Sequence, residues 1–286
     1  MENIVEILDR TLTEEQRELL LFLYGNLHVD ELSEEEQCFF IEYFFNSETL
    51  RNMAKFAIAF VEIIREIEEN IPAIEREEGL TNSEEQRCYY ARKWHEAKQH
   101  ELKHRIMKKG NVLYVPFADY KKEPGPIIVC LEQTKGMSMY AEMCKSMILP
   151  LFAIAHQECR DLYIVPYNHH VHVHYRFENG HLNSSDFVDF IECDADGEAA
   201  IIPVLQFAKG LLQENQQCAD ATILMFTEGV PVDGQRLVEP NVKLMVQEMI
   251  HQYHVDISVI AMHETNFNEQ HFWFANKAFF VDDYLQ

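Results

Sequence analysis

Three stretches of this chain carry residues whose types and spacing could do chemistry. In the first, Glu132 ends an apolar run at 127–131 and Glu228 follows a second run at 222–227. Open α/β sheets bind ligands beyond the carboxyl ends of their strands, so two carboxylates at such tips form a candidate site. Thr134 adds a hydroxyl two residues after Glu132, and Ser138 another before the next helical pattern. In the second, His100, Glu101, Leu102, Lys103 and His104 spell an HExxH string on an expected helix. That spacing sets both imidazoles on one face, where they could hold Zn²⁺ with Glu101 as base, the core of a zinc-dependent hydrolase. The surroundings are charged on nearly every side, Lys103 lies inside the string, and no third ligand is evident, so a solvated face with i,i+4 pairing is the favoured reading. In the third, His170, His172 and His174 alternate with Val171 and Val173. On a strand the three imidazoles would share a face, able to bind a transition metal or to titrate near neutrality. The simpler reading is the polar outer face of an edge strand. Nucleophilic and nucleotide chemistry lack support, because the sequence has no G-x-S-x-G elbow and no glycine-rich phosphate loop ending in Lys-Ser/Thr.

The elements that must position these residues fall into two textures. The first 110 residues read as helices. Capping boxes recur at Thr13/Gln16, Ser33/Glu36 and Ser83/Gln86, each before a segment of helical periodicity. The segment 50–70 places Phe56, Phe60, Ile63 and Ile64 on one face, and a charged helix is expected from Ser83 to about Lys109, with Gly110 as its C-cap. After a strand-like 111–117 and a turn-rich 119–126, strands alternate with helices. Strands are expected at 127–132, 162–167, 170–175, 221–227, 256–262 and 278–281, and helices at 139–158, 184–192, 199–213, 239–252 and 267–276. The runs IIVCL, TILMF and ISVIA do not alternate, as expected of parallel strands buried on both faces. The pair at 162–175 reads as a hairpin turning at Asn168 and His169, which makes one edge antiparallel. The expected fold is therefore α/β: a doubly wound, mostly parallel, Rossmann-like open sheet preceded by an all-α N-terminal domain. Its expected division is a helical bundle at 1–110, a strand and linker at 111–126, and the sheet domain at 127–286.

Five tracts carry a resemblance: PIIVCLEQTKGMS, RDLYIVPYNHHVHVHY, EAAIIPVLQFAKGLL, ADATILMFTEGVPVDG and HFWFANKAFFVDDY. Together they cover 127–286 and resemble the von Willebrand factor A (VWA) domain. The DLYIVPY tract beginning at Asp161 looks most like the intracellular bacterial VWA proteins of the ViaA and CoxE type, which also carry a helical N-terminal region. The resemblance implies a metal-ion-dependent adhesion site, whose positions transfer one at a time. The leading Asp of the D-x-S-x-S signature aligns with Glu132, the first Ser with Thr134, the second Ser with Gly136, the distal Thr with Ala199 and the last Asp with Glu228. Two carboxylates and one hydroxyl thus survive, and the site is degenerate. Mg²⁺ demands near-octahedral oxygen and tolerates little distortion, so a vacant site or a loosely bound Mg²⁺ or Ca²⁺ is expected. Lys135 could lie across Glu132 and Glu228 and neutralise them, while Asp194, Asp196 and Glu198 lie in the loop that lost its Thr. A partner-binding rim is expected from Lys135, Ser138, Asp196 and Glu198.

Composition narrows the function further. A formal charge of −24 over 286 residues argues against nucleic acid and anionic membrane, despite a net-basic patch at 81–124. Apolar stretches fall short of a membrane span, the N-terminus carries acids where a secretory signal carries bases, and seven scattered cysteines include no CxxC pair. A cytoplasmic, non-enzymatic protein is expected. What the resemblance implies is an adaptor or co-chaperone that works with a MoxR-type AAA+ ATPase or its client, the motor being a separate chain. A zinc-dependent hydrolase built on His100 and His104 and a self-associating structural protein are the alternatives.

Overall fold

The computed structural model describes residues 12–69, 125–194, 196–214 and 220–281. The strand-like 111–117, the HExxH helix with His100 and His104, the Ser83 capping box and most of the expected linker lie outside these residues. Three helices come first: α1 (Glu14–Leu27), α2 (Glu34–Asn46) and α3 (Glu48–Glu69). The capping boxes at Thr13/Gln16 and Ser33/Glu36 are formed in both directions, hydroxyl to backbone and side chain back to the cap. The buried stripe of α3 is Leu50, Met53, Ala54 and Ala57, an i, i+3, i+4, i+7 face. Phe56, expected on that face, is 43 % exposed. Small residues, not the bulky phenylalanine, allow the close packing of α3 on its neighbour. The side chains of Phe60, Ile63 and Ile64 lie outside the described residues.

The α/β part runs β1 (Ile127–Glu132), α4 (Ala141–Gln157), β2 (Leu162–Tyr167), β3 (Tyr175–Phe177), α5 (Ser184–Glu192), α6 (Ile201–Glu214), β4 (Thr222–Thr227), α7 (Pro240–Tyr253), β5 (Asp256–Ala261) and β6 (Lys277–Phe280). The strand order is β3-β2-β1-β4-β5-β6, with β3 antiparallel to β2 and every other pair parallel. β1 and β4 are central neighbours, paired from Ile127↔Thr222 to Leu131↔Phe226, so their carboxyl tips emerge side by side. Every residue of β1, β2 and β4 is buried, which explains their unbroken hydrophobicity. Alternate residues serve opposite cores. Val129, Leu131, Ile164, Leu224 and Phe226 join a core with α4 and α5, whereas Ile128, Cys130, Val165, Ile223 and Met225 join one with α6 and α7. The sheet is therefore doubly wound.

The first core continues outward into α1–α3. Leu19, Leu23, Leu27, Phe40, Phe44, Leu50 and Met53 belong to the same cluster as Met147, Ile148, Leu151 and Phe152 of α4. α4 is consequently buried on both sides, the sheet beneath it and the N-terminal helices above. At the opposite edge from the strand tips, Arg160 is 1 % exposed. Its guanidinium donates to the Gly125 and Pro126 carbonyls, to Thr222 Oγ1 and to Glu158 Oε2, joining the starts of β1 and β4.

Two expected elements differ. The strand at 170–175 is not formed: after a single bridge between Tyr167 and Val171 the chain leaves the sheet and pairs again only at Tyr175. Asn168 Oδ1 accepts the His170 N–H at 3.2 Å, a side-chain turn that competes with ladder pairing. His170, His172 and His174 are exposed in this loop and not on one face of a strand. The helix expected at 267–276 is a series of turns. Asn268 Oδ1 accepts the Gln270 N–H, a side-chain turn that competes with helical pairing, and Asn276 Oδ1 accepts the N–H of Ile257 in β5, tying the end of the segment to the sheet. No helix among the described residues is long and apolar enough to cross a membrane.

Candidate functional site

The loops that follow the parallel strands are laced together into a crown above their carboxyl tips. The Asp196 N–H reaches the Gln133 carbonyl, Asn168 Nδ2 the Asp196 carbonyl, Ala200 N–H the Asn168 carbonyl and Val232 N–H the Ala199 carbonyl. Tyr140 Oη and His263 Nε2, 3.0 Å apart, tie the start of α4 to the loop after β5.

At the centre, Glu132 is 3 % exposed and turned into the protein. Its Oε1 accepts from Thr134 Oγ1 at 2.7 Å; its Oε2 accepts from Thr227 Oγ1 at 2.6 Å and from the Glu228 N–H at 3.1 Å. Thr227 Oγ1 in turn accepts the Gly229 N–H at 3.0 Å. Gly229 is needed in this turn because its φ is +96°, a conformation that side chains resist. Burial pushes the Glu132 carboxyl above its ordinary 4.5 and Glu228 adds to that, while the three hydrogen bonds oppose it. The neighbouring Tyr167 phenol is pushed well above its usual range by burial and then by Glu132.

Glu228 lies across Gly136. A Cβ built on that glycine would overlap the Glu228 carboxylate, so the longer acid fills the room that a second serine would need. Ala199 is buried and offers no side-chain oxygen. The helix that follows it is instead capped from another loop: Asp233, 7 % exposed, accepts the Ile201 N–H on Oδ1 and the Ile202 N–H on Oδ2. The ligand-bearing side chains at the tips are thus Glu132, Thr134 and Glu228. Both Glu132 oxygens are already engaged, and Gly136 and Ala199 supply nothing. That set does not fit the near-octahedral oxygen shell of Mg²⁺.

The rim residues are spread around this centre. Lys135 does not bridge Glu132 and Glu228; its Nζ points outward, 3.7 Å from Asp196 Oδ1, and both side chains are more than four-fifths exposed. The Glu132 carboxylate is instead satisfied by Thr134, Thr227 and the Glu228 N–H. Ser138 is exposed, and its hydroxyl donates to the Lys135 carbonyl at 2.8 Å, closing the turn before α4. Glu198 is exposed beside His169, 3.8 Å from its Nε2. Sequence reasoning missed Thr227 and Asp233. A hydroxyl at the tip of β4, next to an acid, was a readable signal for the first; Asp233 had none, because its partners lie about thirty residues away in sequence.

No protein-family model and no curated protein matches the chain. Solved structures are similar in fold. The SpRpn10 VWA domain is 13 % identical with a TM-score of 0.43, covering 57 % of this chain and 90 % of its own. A von Willebrand factor type A protein from Catenulispora acidiphila is 11 % identical with a TM-score of 0.38, covering 52 % of this chain, which spans 35 % of that one. Manganese-loaded TRAP protein from Plasmodium vivax is 12 % identical with a TM-score of 0.34, covering 52 % of this chain and 61 % of its own. With helices on both faces of a sheet ordered β3-β2-β1-β4-β5-β6, one antiparallel edge, and acids at the tips of β1 and β4, the α/β part has a VWA-like fold.

Proposed function

We propose that this protein is a non-enzymatic interaction module that docks a protein partner on its crown, acting as adaptor or co-chaperone for a MoxR-type AAA+ ATPase or that ATPase's client. The observation that carries this reading is the crown's surface. Met139, Val230 and Val232 stand 78 %, 58 % and 54 % exposed in the loops that follow β1 and β4, and exposed charged Lys135, Asp196 and Glu198 lie in the loops of the same crown. Apolar side chains framed by charged ones are the anatomy of a protein-binding patch. The inward-facing, fully hydrogen-bonded Glu132 supports a structural role at the centre, so recognition falls to the rim and needs no tightly held Mg²⁺. The overall acidity of the chain favours a basic partner surface through steering.

The test is capture of a purified MoxR-type ATPase by the full chain, compared with a Val230→Asp/Val232→Asp variant and with Lys135→Glu. The first variant should weaken capture at least tenfold with an unchanged melting temperature, and millimolar Mg²⁺ should alter neither capture nor melting. Equal capture by wild type and the valine variant would remove the crown from the interaction. A Mg²⁺-dependent rise in melting temperature that Glu132→Ala abolishes would show the strand tips to be a working ion site.

A further inference from the structure

Far from the crown, four residues from three separate segments meet around one carboxylate. His28 is the C-cap of α1 in left-handed conformation (φ 50°, ψ 44°), and Glu31 closes the single helical turn that follows. His156 lies in the last turn of α4, and His181 directly follows the turn Glu178–Gly180. That turn is pressed against α4 so closely that a Cβ on Gly180 would strike the His156 amide and the Phe152 carbonyl. Glu31 Oε1 is 3.4 Å from His156 Nε2 and 3.9 Å from His28 Nδ1, and its Oε2 is 3.2 Å from His181 Nδ1. The ligand atoms of His28, Glu31 and His156 all lie within 4.8 Å of one another.

The geometry points to a divalent-metal site of the zinc class, formed by His28, Glu31 and His156 with His181 as fourth ligand, that clasps the N-terminal helices to the α/β part. In a tetrahedral shell with metal–ligand bonds of about 2.0–2.1 Å, neighbouring ligand atoms are about 3.3 Å apart. The contacts to Glu31 straddle that spacing. Hydrogen bonding alone does not account for the group, since 3.9 Å from His28 to the carboxylate is too long for one. Three imidazoles and one carboxylate are a donor set that borderline first-row ions prefer to Mg²⁺ or Ca²⁺. The His28, His156 and His181 side chains are 27 %, 23 % and 53 % exposed, so an ion can enter from solvent. Loading requires two movements: the His28 and His156 rings, now stacked with centroids 3.7 Å apart, must splay until their nitrogens converge, and His181, which faces the other Glu31 oxygen, must swing toward them.

The test is titration of the chelator-treated full chain with Zn²⁺, and with Co²⁺ for its visible ligand-field bands. One equivalent should bind, raise the melting temperature and give the intense absorption of tetrahedral cobalt. Glu31→Gln/His156→Gln should weaken the affinity at least tenfold, the loss expected when supporting groups alone are removed. His104→Ala and Glu132→Gln should leave it unchanged. A readout that needs no variant is NMR of the imidazole nitrogens, in which those of His28, His156 and His181 should shift on Zn²⁺ addition. No stoichiometric binding by wild type, retention in the double variant, loss in His104→Ala, or silent resonances at those three rings would each overturn the site. Because none of these readouts involves the crown, failure here leaves the docking reading standing, and the reverse holds too.

Discussion

Glu132 sits where burial and hydrogen bonding pull in opposite directions. Desolvation disfavours its charge and three donors support it; the net effect is a carboxyl raised above 4.5. The unfolded chain releases this proton first as pH rises. The residue's contribution to stability is therefore full below about pH 4.5 and is lost as pH climbs through the raised folded value. Glu132→Gln should remove that slope: its stability relative to wild type, from urea unfolding at a series of pH values, should increase between pH 4 and pH 7. Parallel curves would mean that the hydrogen bonds from Thr134, Thr227 and Glu228 offset the burial completely. The pairing of Gly136 with Glu228 shows why residue-by-residue transfer from a signature misleads. Gly136 read alone looks like a missing ligand, whereas in the structure its lack of a side chain leaves the space that the Glu228 carboxylate occupies.

Elements here are held at their ends by groups from elsewhere in the chain. α6 has no local side-chain cap, and the buried Asp233 serves both Ile201 and Ile202 amides. Asp233→Ala should cost about 1–2 kcal/mol by chemical denaturation, the usual range for a lost N-cap, and Asp233→Asn less than Asp233→Ala. A cost below about half a kcal/mol would mean that water replaces the carboxylate. At α5 the logic is mirrored: the buried Lys145 ammonium donates to the Ile191 and Cys193 carbonyls at 2.7 and 2.9 Å, a cation on a helix C-terminus. These long-range caps were illegible in the sequence, whereas the local capping boxes of α1 and α2 were plain. The same distinction explains the rest. Strands β1, β2, β4 and β5 were readable from unbroken apolar runs, and α5 from its periodicity. The 170–175 strand and the 267–276 helix failed because Asn168 and Asn268 spend their side chains on nearby backbone and Asn276 spends its own on β5. Glu132 and Glu228 could be placed at strand tips from the ends of two apolar runs and side by side from the family resemblance, but the space that Gly136 leaves for Glu228 shows only in the packing.

At the scale of the whole molecule, α1–α3 share the hydrophobic core on one face of the sheet. α4 is the piece common to both. Its outward face, including Met147 and Leu151, meets Leu23, Leu50 and Met53, and full burial of one such side chain is worth about 1.5–3 kcal/mol. A fragment beginning at Gly125 should therefore be less stable than the full chain and bind hydrophobic dyes, as measured by thermal melting and dye fluorescence. A fragment that melts like the full chain, with no added dye signal, would show the helices to be an independent appendage.

α4 also joins the two sites. It starts at the crown beside Tyr140 and carries His156 in its last turn, and 17 residues at 1.5 Å each make a length of about 25 Å. Its two poles thus carry the two surfaces on which ligands are proposed to act. One helix joins them, with Pro150 in its interior as the place where it can bend, so seating a partner above and locking an ion below would be linked through that joint.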